Sequence, residues 1–305
     1  MEMRWVGNLH VSLVGLGCNN FGWRLDAAQT SEVVHAALDA GINFFDTADI
    51  YGRTYSEDFL GRALGRRRSE VVIATKFGMA VDEKRRGARP DYVLQAAEDS
   101  LRRLGTDRVD LYQIHQPDAT IPIADTLEAL EKLVTAGKVR EIGCSNFSAD
   151  QLQEAESAVS PGAPRFVSVQ NEYSLLDREA EGEVIPVCER LGLAFIPYFP
   201  LASGLLTGKY RRGEPPPPGT RLAPGGRFED TLTEKNLELV EALIQFAESK
   251  GHTLLELAIS WLAARPTVAS VIAGATTSQQ VKMNAAAAGW RLSKADLTEV
   301  DKILH

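Results

Sequence analysis

Eight short apolar runs, separated by helical patterns, constrain this chain more than any other feature. The runs fall near 12–15, 42–46, 71–75, 110–114, 139–143, 166–170, 194–198 and 270–273. They are nearly continuous in Val, Ile, Leu and Phe, as strands buried on both faces are. Strands alternating with helices build a parallel sheet, and eight such units in order close it. The expected fold is therefore α/β, a (β/α)8 TIM barrel. Val34, Ala37 and Leu38 share one helical face, stopped by Gly41, and Phe59, Leu60, Ala63 and Leu64 share another. Val93, Ala97, Leu101 and Leu104 follow Pro90, and Leu127, Leu130 and Val134 precede Gly137. Ser148 with Gln151, Thr253 with Glu256 and Thr277 with Gln280 read as capping boxes that open helices. The competing arrangement is an open, doubly wound sheet. Its dinucleotide fingerprint needs three glycines, and Gly15-Leu16-Gly17-Cys18-Asn19-Asn20 lacks the third.

Three segments lie outside the repeat. Residues 3–11, with Gly7-Asn8 as a turn, read as an N-terminal hairpin that plugs the bottom of the barrel. Residues 199–232, after the seventh strand, form a long loop over the top face, with Pro215 to Pro218, Gly219, Gly225 and Gly226. Residues 233–250, led by Leu237, Val240 and Ile244, add a helix before the one at 253–264. No linker interrupts the count, so residues 1–305 are expected to make one domain. A net charge of −8 with no long basic run argues against a nucleic-acid partner. No run approaches a membrane span, and Met1-Glu2-Met3-Arg4-Trp5 is not an apolar signal segment. Cys18, Cys144 and Cys188 fit neither a disulfide framework nor a zinc pattern. A reducing, cytoplasmic setting and metal-free chemistry are the expectation.

Active sites of such barrels lie at the carboxyl ends of the strands. Those ends carry, in order, Asn19, Asp46 with Tyr51, Lys76, His115, Ser145 with Asn146, Gln170, Tyr198, and Gly274-Ala275-Thr276-Thr277. A carboxylate, a phenol, an ammonium and an imidazole on three successive strand ends suit proton transfer to a carbonyl. A tyrosine titrates near ~10, and the Lys76 ammonium is expected to lower that value. Asp46 would hold Lys76 charged and in place, and His115 would orient the substrate oxygen. Taken singly, such a tyrosine packs, such a lysine caps the surface, and such a histidine is a satisfied core residue. Their coincidence carries the reading.

Reduction also needs a hydride source. Ser145, Asn146 and Gln170 offer groups that could grip a nicotinamide carboxamide, and Tyr198 offers a ring to stack on it. The helix opened by Thr277 after the last strand presents its N-terminus to a phosphate. Lys209, Arg221 and Arg227 on the long loop could close over the phosphates. Alone, each reads as a turn residue, a core residue or solvated loop charge.

In combination, these segments resemble the aldo-keto reductase family, from about residue 6 to the C-terminal helix. The resemblance rests on Phe45-Asp46-Thr47-Ala48-Asp49-Ile50-Tyr51-Gly52 with Ser56-Glu57, on Ala74-Thr75-Lys76-Phe77-Gly78, and on Asp110-Leu111-Tyr112-Gln113-Ile114-His115. Gly143-Cys144-Ser145-Asn146-Phe147, Val169-Gln170-Asn171-Glu172-Tyr173 and the stretch from Pro200 to Tyr210 extend it. It implies a catalytic tetrad of Asp46, Tyr51, Lys76 and His115, with hydride passing from NADPH to an aldehyde or ketone and the tyrosine giving the proton. It also implies carboxamide contacts at Ser145, Asn146 and Gln170, and stacking by Tyr198. Leu201, Ser203, Gly204, Lys209 and Arg221 would follow the pyrophosphate. Gly274, Ala275, Thr276, Gln280 and Asn284 would meet the adenosine.

The chain departs from many members in one place. No Lys or Arg precedes Lys282 at the start of the last family helix, so NADPH is expected to be preferred over NADH by a smaller margin. The pattern is similar to the bacterial and channel-β-subunit branch, in which Gln280 and the loop arginine share the 2′-phosphate. A second reading follows, an NADPH-binding regulatory subunit with little turnover. A sugar-phosphate isomerase would need paired carboxylates at the strand ends, and Asp46 has no such partner. Asn19, Phe21, Trp23, Tyr55, Phe77, Met79 and Gln116 are candidates to line a pocket for a small carbonyl substrate. Neither the substrate nor the oligomeric state is legible.

Overall fold

The computed structural model describes residues 1–223 and 228–304. The chain opens with β1 (Met3–Val6) and β2 (Leu9–Ser12), an antiparallel hairpin that pairs Val6 with Leu9. The two-residue turn needs a left-handed backbone, which Gly7 supplies at φ 56°. Val6, Leu9 and Val11 are buried together with Phe44, Val72, Ala74, Leu111, Ile196, Ala269 and Ile272. The hairpin thus plugs the barrel, as its pattern predicts.

Eight parallel strands follow: β3 (Val14–Gly17), β4 (Phe44–Asp46), β5 (Val72–Phe77), β6 (Val109–Ile114), β7 (Val139–Ser145), β8 (Phe166–Glu172), β9 (Ala194–Tyr198) and β10 (Val271–Gly274). Their order is β10-β3-β4-β5-β6-β7-β8-β9. The ring closes beside β9, where Phe195 N–H donates to the Thr267 carbonyl at 2.8 Å and Ala269 N–H to the Phe195 carbonyl at 2.9 Å. The first sequence run, 12–15, straddles two elements. Ser12 ends the hairpin, its hydroxyl donating to the Val14 carbonyl at 2.8 Å, and the barrel strand begins at Val14. Apolar continuity hid that corner.

The helices are α1 (Ala27–Asp39), α2 (Tyr55–Leu64), α3 (Pro90–Leu104), α4 (Ile123–Thr135), α5 (Ala149–Ser157), α6 (Val184–Leu191), α7 (Glu234–Ser249), α8 (Leu254–Ala263), α9 (Ser278–Ala287) and α10 (Lys294–Leu304). The capping boxes at Ser148 and Thr253 form with both reciprocal bonds. At Thr277 only half forms. The Thr277 side chain accepts from Gln280 N–H, but the Gln280 side chain turns to Thr276 instead. The helix expected at 233–250 is α7, capped by Thr233. Between barrel and helices lies the larger core, where Trp261 is fully buried against Tyr173 at 5.1 Å between ring centroids. Burying such a side chain stabilises the fold by roughly 2–3 kcal/mol.

Candidate active site

All six non-glycine residues with positive φ among the described ones lie in three segments at the carboxyl ends of the strands. They are Arg53 and Thr54, Asn146, and Phe199, Ala202 and Ser203. Backbone strain of this kind persists where surrounding structure fixes it, commonly at functional sites. Gly52, at φ 57°, lets the turn after Tyr51 press on the β3–α1 loop, since a Cβ there would meet the Phe21 carbonyl at 2.1 Å.

The four candidate catalytic residues converge. Lys76 on β5 is fully buried and donates to Asp46 Oδ2 on β4 at 2.7 Å and to the Thr47 carbonyl at 2.9 Å. Its ammonium lies 5.1 Å from the Tyr51 ring centroid. Burial disfavours that ammonium, but Asp46 and then Tyr51 outweigh it and raise its pKa. The expected lowering of the tyrosine does not survive as a net effect. Lys76 does pull Tyr51 down, yet burial pushes harder and the hydroxyl ends above its ordinary value. Tyr51 therefore keeps its proton at neutral pH, which a proton donor requires. His115 follows β6 and meets the Tyr51 ring edge-on at 5.6 Å. Burial, with repulsion from Lys76, lowers its pKa to about 3, so the imidazole is neutral. Its Nδ1 is buried without a partner.

The amide and hydroxyl groups form a connected ring beside the tetrad. Ser145 donates to the Gln170 carbonyl at 2.7 Å, and Asn146 Nδ2 donates to the His115 carbonyl at 2.8 Å. The Tyr198 hydroxyl donates to Asn146 Oδ1 at 2.8 Å. Gln170 Nε2 donates to Asp46 Oδ1 at 2.9 Å, so Asp46 serves Lys76 through one oxygen and Gln170 through the other. That bridge was not foreseen, because nothing in the separation of residues 46 and 170 signals it.

Past the long loop the chemistry changes. Arg221 donates to Asn20 Oδ1 at 2.7 Å and to Asn19 Oδ1 at 3.4 Å, and Asn20 donates to the Ala275 carbonyl at 3.2 Å. Arg24, which sequence reading passed over, donates to the Gly219 carbonyl at 2.8 Å. Burial first, then repulsion from Arg24, lowers the pKa of Arg221. Partial desolvation, then Arg24 and Arg221, does the same for Lys209. Among the described residues no carboxylate forms an ion pair with any of the three, although ion pairs are frequent elsewhere. Leu201, Ser203 and Gly204 lie in the turn Ala202–Thr207 and its approach. A Cβ on Gly204 would lie 3.4 Å from Lys209 Nζ. Arg227 lies outside the described residues. Gln280 Oε1 accepts from Thr276 N–H at 2.7 Å, and Asn284 reaches the Gly274 carbonyl at 3.5 Å.

Of the pocket candidates, Trp23, Tyr55 and Gln116 are exposed, and Asn19 and Met79 are half-buried. Phe77 is a correction. It is fully buried and stacks on Tyr112 at 4.8 Å in the layer beneath the helices, because β5 turns its side chain outward from the barrel axis. Phe21 is buried in the same layer. No described helix is long and apolar enough to cross a membrane.

Comparison with known proteins agrees with this geometry. A potassium-channel relative, "Probable voltage-gated potassium channel subunit beta" from Oryza sativa subsp. japonica, is 36% identical over 297 residues, covering 90% of this chain and 87% of that protein. "Probable aldo-keto reductase 1" from Glycine max is 36% identical over 299 residues, covering 95% of this chain and 84% of its own length. The solved structure of a glycerol dehydrogenase from Gluconobacter oxydans superposes with a TM-score of 0.85 at 31% identity, covering 99% and 94% of the two chains. The sequence pattern of the Aldo/keto reductase family matches residues 13–305. With that match spanning the whole barrel, and the strand-end residues gathered as described, the chain belongs to the aldo/keto reductase family.

Proposed function

We propose that this protein reduces an aldehyde or ketone to the alcohol, with NADPH as the hydride source. The convergence of Tyr51, Lys76, Asp46 and His115 carries the reading. Tyr51 gives its hydroxyl proton to the carbonyl oxygen as negative charge develops there. Lys76 stabilises the phenolate left behind, and Asp46 keeps Lys76 charged and aimed. Neutral His115 orients the substrate oxygen without adding a cation beside Lys76.

The residues present fit the cofactor. Arg24, Lys209 and Arg221 gather positive charge that no described carboxylate pairs with, as a site for anionic phosphates requires. Lys209 and Arg221, with Leu201, Ser203 and Gly204, would hold the pyrophosphate. Gly274, Ala275, Thr276, Gln280 and Asn284 would hold the adenosine end. Ser145, Asn146, Gln170 and Tyr198 would hold the nicotinamide. When bound, the cofactor supplies hydride from its nicotinamide C4. Three buried free cysteines suit a reducing, cytoplasmic setting.

The test is turnover of NADPH by the purified chain with a panel of aliphatic and aromatic aldehydes and ketones. Oxidation that depends on the carbonyl is expected. The rice relative's printed name motivates a second reading, a regulatory subunit that binds NADPH. Tight NADPH binding with no turnover on any member of the panel would favour that reading.

A further inference from the structure

Ser56 and Glu57, in the first turn of α2, are completely buried, yet the chemistry above uses neither. Their partners lie on the strands of the candidate site. Ser56 Oγ donates to the Cys18 carbonyl at 2.9 Å, so the Thr47 hydroxyl, 2.8 Å away, donates to Ser56. Thr47 is also the residue whose carbonyl accepts from Lys76. Glu57 accepts from Thr75, the neighbour of Lys76 on β5, at 2.5 Å and from Arg103 on α3 at 2.7 Å. The start of α2 is thereby fastened to the ends of β3 and β4 and to β5.

The other end of the same short segment is fastened too. Thr47 N–H donates to the Ala74 carbonyl at 2.9 Å, Asp49 N–H to the Lys76 carbonyl at 3.0 Å, and Tyr51 N–H to the Ala48 carbonyl at 3.2 Å. Residues 52–55 alone join Tyr51 to Ser56, and Tyr55 N–H donates back to the Tyr51 carbonyl. The chain makes this crossing with three left-handed residues in succession. Gly52 has φ 57° and ψ 31°, Arg53 has φ 56° and ψ 44°, and Thr54 has φ 79° and ψ −9°. Glycine takes that backbone freely, but side chains with a Cβ do so at a cost. Thr54 is the sharpest case. It is β-branched, for which positive φ is an outlier. It also stands at the N-cap of α2, where an extended threonine would accept a backbone N–H, and it makes no such bond. Local preference is overruled twice at one residue, three positions after the proposed acid. Tertiary contacts impose such geometry where function needs it.

We propose that Ser56 is a positioning residue for Tyr51. Through Thr47 and the Cys18 carbonyl it holds the turn 52–54 left-handed against strain, and so keeps the phenol beside Lys76. The proposal rests on the reading of Tyr51 as the acid. Without the Ser56 hydroxyl the turn relaxes towards negative φ and the phenol leaves its place. A displacement of about 1 Å can cost ~10²-fold in rate, so kcat falls while KM, set by other groups, changes little.

The test is a double-mutant cycle of Ser56→Ala and Thr54→Gly in the holoenzyme, with NADPH and 4-nitrobenzaldehyde. Ser56→Ala should lower kcat by about tenfold or more, with KM little changed. Glycine bears a positive φ without strain. Thr54→Gly should therefore raise the thermal unfolding midpoint by ~1–3 °C and, combined with Ser56→Ala, restore most of the lost kcat. A side chain that merely propped α2 would lower the midpoint and leave kcat alone, and position 54 could not repair its loss. Thr47→Val removes the same bond from the other side and should repeat the effect of Ser56→Ala, which keeps the test open if Ser56→Ala does not fold. In the full chain labelled with 3-fluorotyrosine, the Tyr51 resonance is assigned by its absence from Tyr51→Phe. It should shift or broaden in Ser56→Ala and return in the double variant. An unchanged kcat in Ser56→Ala or Thr47→Val, a loss that Thr54→Gly does not repair, or a midpoint lowered by Thr54→Gly overturns the proposal. If the wild-type chain shows no turnover, the reduction reading fails on its own, and the fluorine spectra still decide whether Ser56 holds Tyr51.

Discussion

The two ends of the proposed active site are built on opposite plans. At the ends of β4, β5 and β6 each charge has its partner. Lys76 is held by Asp46 and Thr47 and lies against the Tyr51 ring, and Asp46 is held by Lys76 and Gln170. Under the long loop, Arg24, Lys209 and Arg221 repel one another, and among the described residues the hydrogen bonds of Arg24 and Arg221 go only to neutral oxygens. A site that moves a proton must be pre-organised, so its charges are matched within the protein. A site that receives an anion leaves its cations to be matched by the ligand. Substitutions at the first end should therefore alter chemistry and fold, and those at the second should alter affinity.

The sharpest way to break this contrast is Lys76→Met. It strips Asp46 of its buried counter-charge, and unfolding free energy should fall by ~3–5 kcal/mol, the usual cost of orphaning one buried partner. Turnover should fall with it. Denaturant unfolding reads the first effect, and an unchanged midpoint would show that the buried pair is not structural. Tyr51→Phe should be milder for the fold and severe for chemistry, lowering turnover by ~10²–10⁴. Steady-state kinetics with the chemical step limiting checks it.

At the other end, Arg221→Ala should weaken NADPH by ~10- to 150-fold, the range expected for one charge-assisted bond to phosphate. NADH should weaken less, because Arg221 is proposed to meet, besides the pyrophosphate, the 2′-phosphate that it shares with Gln280 and that NADH lacks. Arg24→Ala should give a smaller loss, under about tenfold, that shrinks further as salt is raised, because its side chain is exposed. Titration of both cofactors into both variants, at two salt concentrations, ranks the two arginines. The smallest effect concerns pH. His115 has its folded pKa depressed to about 3, so between that value and its unfolded value the unfolded chain binds the extra proton. Its contribution to stability is full above pH ~6.5 and is lost as pH falls towards the folded pKa. The stability–pH curve of His115→Gln should lack that slope.

The sequence was most informative where chemistry and periodicity coincide. The hairpin plug, the order of the eight units, α7 and the gathering of Asp46, Tyr51, Lys76 and His115 at the strand ends were all legible, because each depends on local pattern or on the rule that barrels work at their strand ends. Contacts set by closure of the barrel were not. Gln170 reaches Asp46 across the ring, Phe77 points outward though its neighbour Lys76 points in, and Arg24 meets a loop some 195 residues later. Neighbouring positions on a strand face opposite sides, and which side is inward at a given residue is fixed by register. The sign of the Tyr51 shift was misjudged for a related reason. The sequence displays the lysine, but the extent of burial belongs to the fold.

The most direct test of the division between the two ends is to measure the NADPH dissociation constant and the single-turnover rate together, in wild type, Tyr51→Phe and Arg221→Ala. The account predicts a crossed result. Tyr51→Phe should bind NADPH near normally and lose turnover by ~10² or more, while Arg221→Ala at saturating NADPH should keep its turnover rate and lose affinity. A Tyr51→Phe variant that keeps more than about half of the wild-type rate, or an Arg221→Ala variant with unchanged affinity for NADPH, would contradict it.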